Sequence, residues 1–324
     1  MNAIMQRLNV YPREQISLLP TPFHFLNNIS KLTDCNIYIK RDDLTGFSLG
    51  GNKTRKFDFL IADALKKKCD TILGIGANQS NFCRILSGVG SSYGLEVHLV
   101  LNGKKPEKPT GNLLIDHMLG ANIHHIDTKD SEERMQYALE IHQQLQDKGQ
   151  NVYFLPPGGS TPIGTLGYAA GFAEILNDMD KHRVSIDRIF HASSSAGTQA
   201  GLVLGQQMSD WEGRIIGISV DVPEEKLKDN VYKLAREAGE LIDIEVDKNL
   251  VLTDDSYIGE GYGIRTTACE EAVDILARKE GVFLDYVYTG KAAAGMLDYC
   301  RSGKISSSEN ILFLHTGGYV ELFE

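Results

Sequence analysis

The feature that most constrains this chain is an alternation. Eight short β-rich runs recur along it, at residues 36–40, 71–75, 96–101, 122–126, 151–155, 188–192, 214–220 and 310–315. Amphipathic segments separate most of them. Phe57, Leu60, Ile61, Ala64 and Leu65 share one helical face, and Met135, Leu139, Ile141, His142 and Leu145 make a looser stripe. Strands that alternate with helices predict an α/β fold, a largely parallel sheet covered by helices on both faces. In such sheets ligands sit beyond the carboxyl ends of the strands, so the loops that follow the strands are where chemistry is to be sought.

A length of 324 residues suggests about two domains. The formal net charge of -10 argues against a general affinity for nucleic acid or anionic membrane and favours a small-molecule partner. The N-terminal stretch MNAIMQRLNVYPREQ has no apolar core of a secretory signal, and no apolar run approaches membrane-spanning length, so a soluble cytoplasmic protein is expected. Cys35, Cys69, Cys83, Cys269 and Cys300 are odd in number and scattered, without metal-site spacing, which predicts reduced thiols in the core and no metal. Cys83 borders a polar loop, but packing outweighs reactivity there too. The run GKKPEKPTG, residues 103–111, reads as a solvated surface loop, and PPGGSTPIG, residues 156–164, as a hinge between two lobes.

In FSLGGNKTRK, residues 47–56, a lysine follows two glycines. Gly46 and Gly51 have the spacing of a phosphate-binding P-loop, but Asn52 pushes Lys53 and Thr54 one residue late. The alternative is that Lys53 is a nucleophilic amine. Lys53, Arg55 and Lys56 also load the first turn of a predicted helix with cations, which the helix dipole disfavours unless an anion is close.

Further stretches favour anions or carry hydroxyls. GIGANQSNFCR, residues 74–84, sets Asn78, Gln79, Ser80 and Asn81 where a strand hands over to a helix, more donors than an N-cap requires. FHASSSAGTQAGLVLG, residues 190–205, places Ser193, Ser194, Ser195, Ala196, Gly197 and Thr198 before an apolar helix, where small residues let backbone amides close on a phosphate. YTGKAAAG and ILFLHTGG bring Tyr288, Thr289 and Thr316 to predicted element ends, and GEGYG, residues 259–263, is a flexible loop carrying Tyr262 rather than a dinucleotide fingerprint. A reactive lysine, anion-binding loops and late hydroxyls beside an aromatic describe a planar phosphorylated aldehyde, pyridoxal 5'-phosphate.

From RDDLTGFSLGGNKTRK to LHTGG the chain resembles the D-cysteine desulfhydrase and aminocyclopropanecarboxylate (ACC) deaminase family, within the tryptophan synthase β-like pyridoxal-phosphate enzymes. The resemblance implies a two-lobed fold, with a large cofactor domain from residues 1–51 and 165–324, a smaller inserted domain from 52–164, and a homodimer. It implies that Lys53 forms the Schiff base, that Asn81 meets the phenolate oxygen of the cofactor, and that Ser195, Ala196, Gly197 and Thr198 hold its phosphate. Ser80 is implied near the substrate carboxylate, with Asn78, Gln79 and Asn81 beside it, Tyr288 near the ring face, and Tyr262 as a second active-site tyrosine. ACC deaminases of this family carry a glutamate and a leucine where this chain has Thr289 and Thr316, which resemble the desulfhydrase pattern. A neutral hydroxyl at the ring nitrogen does not favour its protonation as a carboxylate would. Phe82 replaces a residue that is polar in the family, and Ser194 one that is commonly glycine.

The resulting expectation is β-elimination from D-cysteine to pyruvate, sulfide and ammonia, with Lys53 as the base at the α-carbon. The alternatives are ACC deamination, sulfo-lysis of L-cysteate, a non-catalytic pyridoxal-phosphate carrier, and a nucleotide-binding P-loop protein.

Overall fold

The computed structural model describes residues 3–323; residues 1, 2 and 324, the outer ends of the expected larger domain, lie outside the described residues. Ten strands form two sheets. The larger has the order β1 (Phe23–Phe25), β2 (Asn36–Arg41), β10 (Asn310–His315), β7 (Arg188–Ser193), β8 (Arg214–Ser219) and β9 (Leu252–Asp254). Only β1 runs antiparallel to its neighbour. The smaller sheet is wholly parallel, in the order β5 (Asn122–Ile126), β4 (Glu96–Asn102), β3 (Thr71–Ala77) and β6 (Val152–Leu155). All eight expected strands are present within one or two residues of the predicted bounds. The two unpredicted ones, β1 and β9, are three-residue edge strands, too short to show a period.

Helices cover both faces of each sheet. On the larger sheet, α1 (Ala3–Leu8), α7 (Pro162–His182), α8 (Gly197–Gln207) and α9 (Glu224–Glu240) bury one face. The other is buried by α2 (Asn27–Thr33), α10 (Thr267–Glu280) and α11 (Thr289–Arg301). On the smaller sheet, α3 (Lys53–Lys66), α4 (Asn81–Tyr93) and α5 (Gly111–Met118) pack one face and α6 (Ser131–Asp147) the other. The stripe expected on α6 is corrected: Ala138, Ile141 and Leu145 are its buried face, and Leu139 is 44% exposed.

Helix α3 joins the two halves. Phe57, Leu60, Ile61 and Ala64 enter the core of the smaller sheet, whereas Phe59 enters that of the larger. Leu65, read from sequence as part of the apolar face, lies at the surface. The helix lies so close to α7 that a Cβ on Gly167 would stand 2.2 Å from the Arg55 carbonyl oxygen. Beneath it the Arg55 guanidinium makes two hydrogen bonds of 2.7 Å to Asp42 and one of 2.9 Å to Glu174, all buried or nearly so. Among the described residues no helix is long and apolar enough to cross a membrane.

Candidate active site

Each sheet has a point from which successive strands run outward in opposite directions: between β3 and β6 in one, and between β10 and β7 in the other. Crevices form at such points beyond the carboxyl ends of parallel strands. A cavity of about 330 Å³ opens there, lined by the ends of β3 (Gly76, Ala77), β7 (Ala192, Ser193) and β10 (Thr316), with Lys53 between them.

Lys53 opens α3, and its Nζ donates to Asn52 Oδ1 at 3.0 Å; Asn52 Nδ2 in turn donates to Thr198 Oγ1 at 2.9 Å. Burial lowers the Lys53 ammonium from its ordinary 10.5 to about 8, with Asp285 opposing the fall and Arg84 adding to it. A larger neutral fraction makes this amine a better nucleophile and base at physiological pH. The glycines before it form no P-loop. The amides of Gly50, Gly51 and Asn52 bond to the carbonyls of Phe47, Asp42 and Thr316, so no N–H cradle faces a ligand.

The anion cradle lies at α8. Ala196 takes φ 66°, turning the chain so that the helix starts at Gly197, and the first backbone bond of its ladder is Ala200 N–H to the Ala196 carbonyl. The amides of Thr198 and Gln199 therefore have no acceptor within the helix. The Gly197 amide turns back to the Ser195 carbonyl at 2.8 Å, and Ser195 Oγ accepts from Ser160 Oγ at 3.0 Å. Ser195, Ala196 and Thr198 line the cavity; Gly197 sits behind them, where a Cβ would meet Lys56 Nζ at 2.6 Å. Lys56 is buried, and its partners among the described residues are Gly158 O at 3.0 Å and Ser160 Oγ at 3.4 Å. Burial, then the nearby Lys53, drive its ammonium well below the ordinary lysine value. The cations of the first turn thus have separate ends: Arg55 pairs with Asp42, Lys56 lies behind Gly197, and Lys53 faces the cavity.

The loop before α4 divides in two. Ser80 caps the helix by accepting from the Cys83 amide at 3.2 Å, which leaves its hydroxyl proton free, and it lines the cavity with Asn81. Asn81 Oδ1 accepts from Asn112 Nδ2 at 3.1 Å and Arg84 Nη2 at 3.3 Å, so its own N–H donors are left for a ligand oxygen. Asn78 and Gln79, expected at the substrate, are not among the lining residues. Asn78 Nδ2 donates to Lys104 O at 2.9 Å, while Gln79 bonds Thr110 O at 3.2 Å and the Asn112 amide at 2.8 Å. The surplus of donors read from sequence is therefore a tether for the loop of residues 103–110.

The opposite wall carries the aromatic pair. The Tyr262 and Tyr288 hydroxyls share a short hydrogen bond, with the rings edge to face at 5.9 Å. Burial holds the Tyr288 phenol well above its ordinary value, and the Tyr262 phenol is raised too although the residue is 45% exposed, so both are neutral. Thr316 lines the cavity with a hydroxyl that has no hydrogen-bond partner among the described residues. Thr289, expected beside it at the ring nitrogen, does not line the cavity: its Oγ1 donates to Asp285 Oδ2 at 2.6 Å and accepts from the Asp285 amide at 3.0 Å. Asp285 also accepts from the Val287, Tyr288 and Thr289 amides, stapling the start of α11. Cys83 is fully buried and burial pushes its thiol far up, so it packs.

The residues present fit pyridoxal phosphate. An amine of lowered pKa, a helix start with unmatched amides and a buried cation, and a side-chain amide aimed at an oxygen answer its aldehyde, phosphate and phenolate in turn. A model of the pyridoxal-phosphate dependent enzymes matches residues 16–317. The chain belongs to that family. Within it, the chain is a member of the D-cysteine desulfhydrase and ACC deaminase group. It is 41% identical over 318 residues to a Pyrococcus furiosus protein named "Putative 1-aminocyclopropane-1-carboxylate deaminase", covering 97% of this chain and 94% of that one. A Pyrococcus horikoshii protein of the same name is 40% identical over 315 residues, with the same two coverages. The crystal structure of an "ACC deaminase homologue" superposes with a TM-score of 0.93 at 39% identity, covering 100% of this chain and 97% of the other. Threonine deaminase isoform 2 from Solanum lycopersicum, at 16% identity and a TM-score of 0.68 over 97% of this chain and 83% of that one, shares the fold. The expected two-lobed, tryptophan synthase β-like architecture and its pyridoxal-phosphate cofactor are thus established for this pyridoxal-phosphate enzyme.

Sequence reasoning missed Arg84, Asn112, Lys56 and Asp221. Lys56 had a signal, the disfavoured cation in a first turn. Arg84 had none, because what it holds is remote in sequence: the Ser48 and Gly50 carbonyls and, at 2.8 Å, Asn112. Phe82, one of the two departures from the family pattern, lines the cavity and stacks on Phe57 at 5.7 Å, an apolar wall that a polar residue would not make.

Proposed function

We propose that this enzyme is a lyase acting on a small α-amino acid, and that D-cysteine is its substrate, giving pyruvate, sulfide and ammonia. The observation that carries the choice of D-cysteine is Thr316, a neutral hydroxyl in the cavity where ACC deaminases of the family carry leucine, together with the absence of a glutamate at position 289. A neutral partner does not hold a proton on a ring nitrogen, so the site suits a substrate whose β-substituent leaves readily, as sulfide does.

Bound pyridoxal phosphate supplies the aldehyde that takes an amine and the conjugated ring that draws electrons from the α-carbon. The positions of the chain's own residues support the following roles. Lys53 Nζ accepts the α-proton, Ser80 and Asn81 orient the substrate carboxylate and the phenolate oxygen, and Ser195, Ala196, Gly197 and Thr198 with Lys56 hold the phosphate. Tyr262 and Tyr288, neutral and hydrogen-bonded to each other, wall the substrate side. The same reading takes residues 52–164 as the smaller domain and the working form as a cytoplasmic homodimer, which light scattering and cell fractionation test.

A second reading, ACC deamination to 2-oxobutyrate and ammonia, is favoured by the names of the Pyrococcus relatives, which support it better than they support desulfhydration. Purified, cofactor-loaded enzyme given D-cysteine, L-cysteine, L-cysteate and ACC in parallel separates them. Sulfide with pyruvate from D-cysteine supports the first reading. 2-Oxobutyrate from ACC without sulfide replaces it with the second, sulfite from L-cysteate makes the enzyme a sulfo-lyase, and a visible spectrum unchanged by any amine leaves a carrier.

A further inference from the structure

Asp221 has no part in the chemistry described so far, yet it lines the same cavity. It stands two residues past the end of β8, and Ser194 one residue past the end of β7. These strands are parallel neighbours with Ser193 opposite Ser219, so the two side chains leave adjacent strand ends. Ser194 Oγ donates to Asp221 Oδ2 at 2.7 Å. Asp221 Oδ1 is buried and, among the described residues, makes no hydrogen bond of ordinary geometry. The carboxylate thus has a single neutral hydroxyl as its hydrogen-bonded side-chain partner, and burial pushes it up from its ordinary value against Ser194, the Val222 amide and the more distant Lys226 and Lys291. Of the two cations that act on it, Lys226 and Lys291, the second is occupied, its Nζ donating to Ile258 O at 2.7 Å and Gly261 O at 2.9 Å to hold the loop that carries Tyr262. Asp221 faces the tyrosine wall: after burial, its charge is among the influences that hold the Tyr262 and Tyr288 phenols protonated. Ser194 is also one of the two departures from the family pattern, at a position where glycine would offer no hydroxyl.

We propose that Asp221, held in place by Ser194, is a specificity-determining residue: a fixed carboxylate on the substrate side that admits amino acids whose β-substituent is neutral, donates hydrogen bonds or is cationic, and turns away those ending in an anion. This rests on the reading that the cavity takes a small α-amino acid. Its physical basis is that a like charge facing a ligand's anion in a partly desolvated cavity weakens the wrong ligand far more than it strengthens the right one. The sulfonate of cysteate falls on the rejected side and the thiol of cysteine on the admitted side.

The test is a binding ratio rather than a rate. The cofactor-loaded enzyme is titrated in mildly alkaline buffer with alanine, aspartate and 2,3-diaminopropionate, each as both enantiomers, and the visible spectrum of the cofactor reports saturation. In the wild type aspartate should bind more weakly than alanine, and diaminopropionate more tightly. Asp221→Asn should shrink the handicap of aspartate by roughly tenfold and abolish the advantage of diaminopropionate. Ser194→Ala, which frees the carboxylate to swing away, should move both ratios the same way by less. Ratios unchanged within about twofold in both variants, or a uniform loss of affinity for all three ligands, would overturn the proposal. If Asp221→Asn fails to hold the cofactor, the ratios in Ser194→Ala decide alone. Sulfide release from D-cysteine is scored separately. Altered ratios without sulfide in the wild type would leave this inference standing and remove the D-cysteine reading, and sulfide with unaltered ratios would do the reverse.

Discussion

Helices α4 and α8 both begin at a strand's carboxyl end and both aim their starts into the cavity, but they do so by opposite means. At α8 the side chains nearly vanish: Ala196 and Gly197 let the backbone itself come close, and the donors are peptide amides backed by Lys56. At α4 the backbone is capped conventionally by Ser80, and the donors are side chains, chiefly the Asn81 amide, aimed by Arg84 and Asn112. A backbone cradle binds any tetrahedral anion through geometry that only small residues permit. A side-chain donor can be matched to one oxygen but needs neighbours to fix its orientation. The first therefore fails when volume is added near it, and the second when a remote partner is taken away.

Lys53 lies between the two starts, and its loss should have the largest effect. Lys53→Ala should reduce turnover by about a thousandfold or more, the scale expected if the proposed general base and covalent tether is lost. Mass spectrometry after borohydride treatment should find no cofactor fixed to the variant chain.

The lysine also predicts a pH dependence. With a folded pKa of about 8 against an ordinary 10.5, Lys53 carries fewer protons folded than unfolded across that interval. The stability of cofactor-free protein should therefore rise as pH climbs from about 8 to 10.5, by up to about 3 kcal/mol from this group. In urea melts Lys53→Met should lose that part of the rise, and an identical slope in the two proteins would contradict the lowered pKa.

The backbone cradle can be broken by volume. Gly197→Val drives a side chain into Lys56 Nζ and Ser160, an overpacking cost of about 1–3 kcal/mol that should weaken cofactor affinity roughly ten- to hundredfold. Lys56→Met tests the cation instead. It should cost about tenfold in affinity for the phosphorylated cofactor, the worth of a charge-assisted hydrogen bond, and leave affinity for unphosphorylated pyridoxal unchanged in fluorescence titrations.

The smallest effect belongs to the side-chain start. Asn112→Ala removes one of the two donors that orient Asn81, worth about 1 kcal/mol. Cofactor affinity should fall severalfold while phosphate affinity stays as it was. If Asn112→Ala weakened phosphate as much as Gly197→Val does, the distinction between the two helix starts would collapse.

Much of this was legible in the sequence because it is local. The β and α periods placed eight of ten strands, and the SSSAGT run marked the cradle from residue size alone. The lysine after Gly50 and Gly51 likewise stood out as an amine rather than a phosphate clamp. Donor-rich ANQSN was legible as a donor cluster but not in its division of labour, since Asn78 and Gln79 turn outward to a loop more than twenty residues away. The two threonines looked equivalent, yet only Thr316 meets the cavity, because a buried Asp285 four residues earlier claims the hydroxyl of Thr289.

The sequence by itself determined the alternation of elements, the loops that line the cavity and the chemical type of the cofactor, because periodicity, residue size and charge act over a few residues. The tertiary structure alone decided which of those residues face one another. Arg55 with Asp42 and Glu174, Asn52 with Thr198, Arg84 with Asn112 and Ser194 with Asp221 are pairs set by where parallel strands end and helices cross. The physical reason is that hydrogen bonds and ion pairs reach only about 3 Å, whereas separation along the chain says little about separation in space.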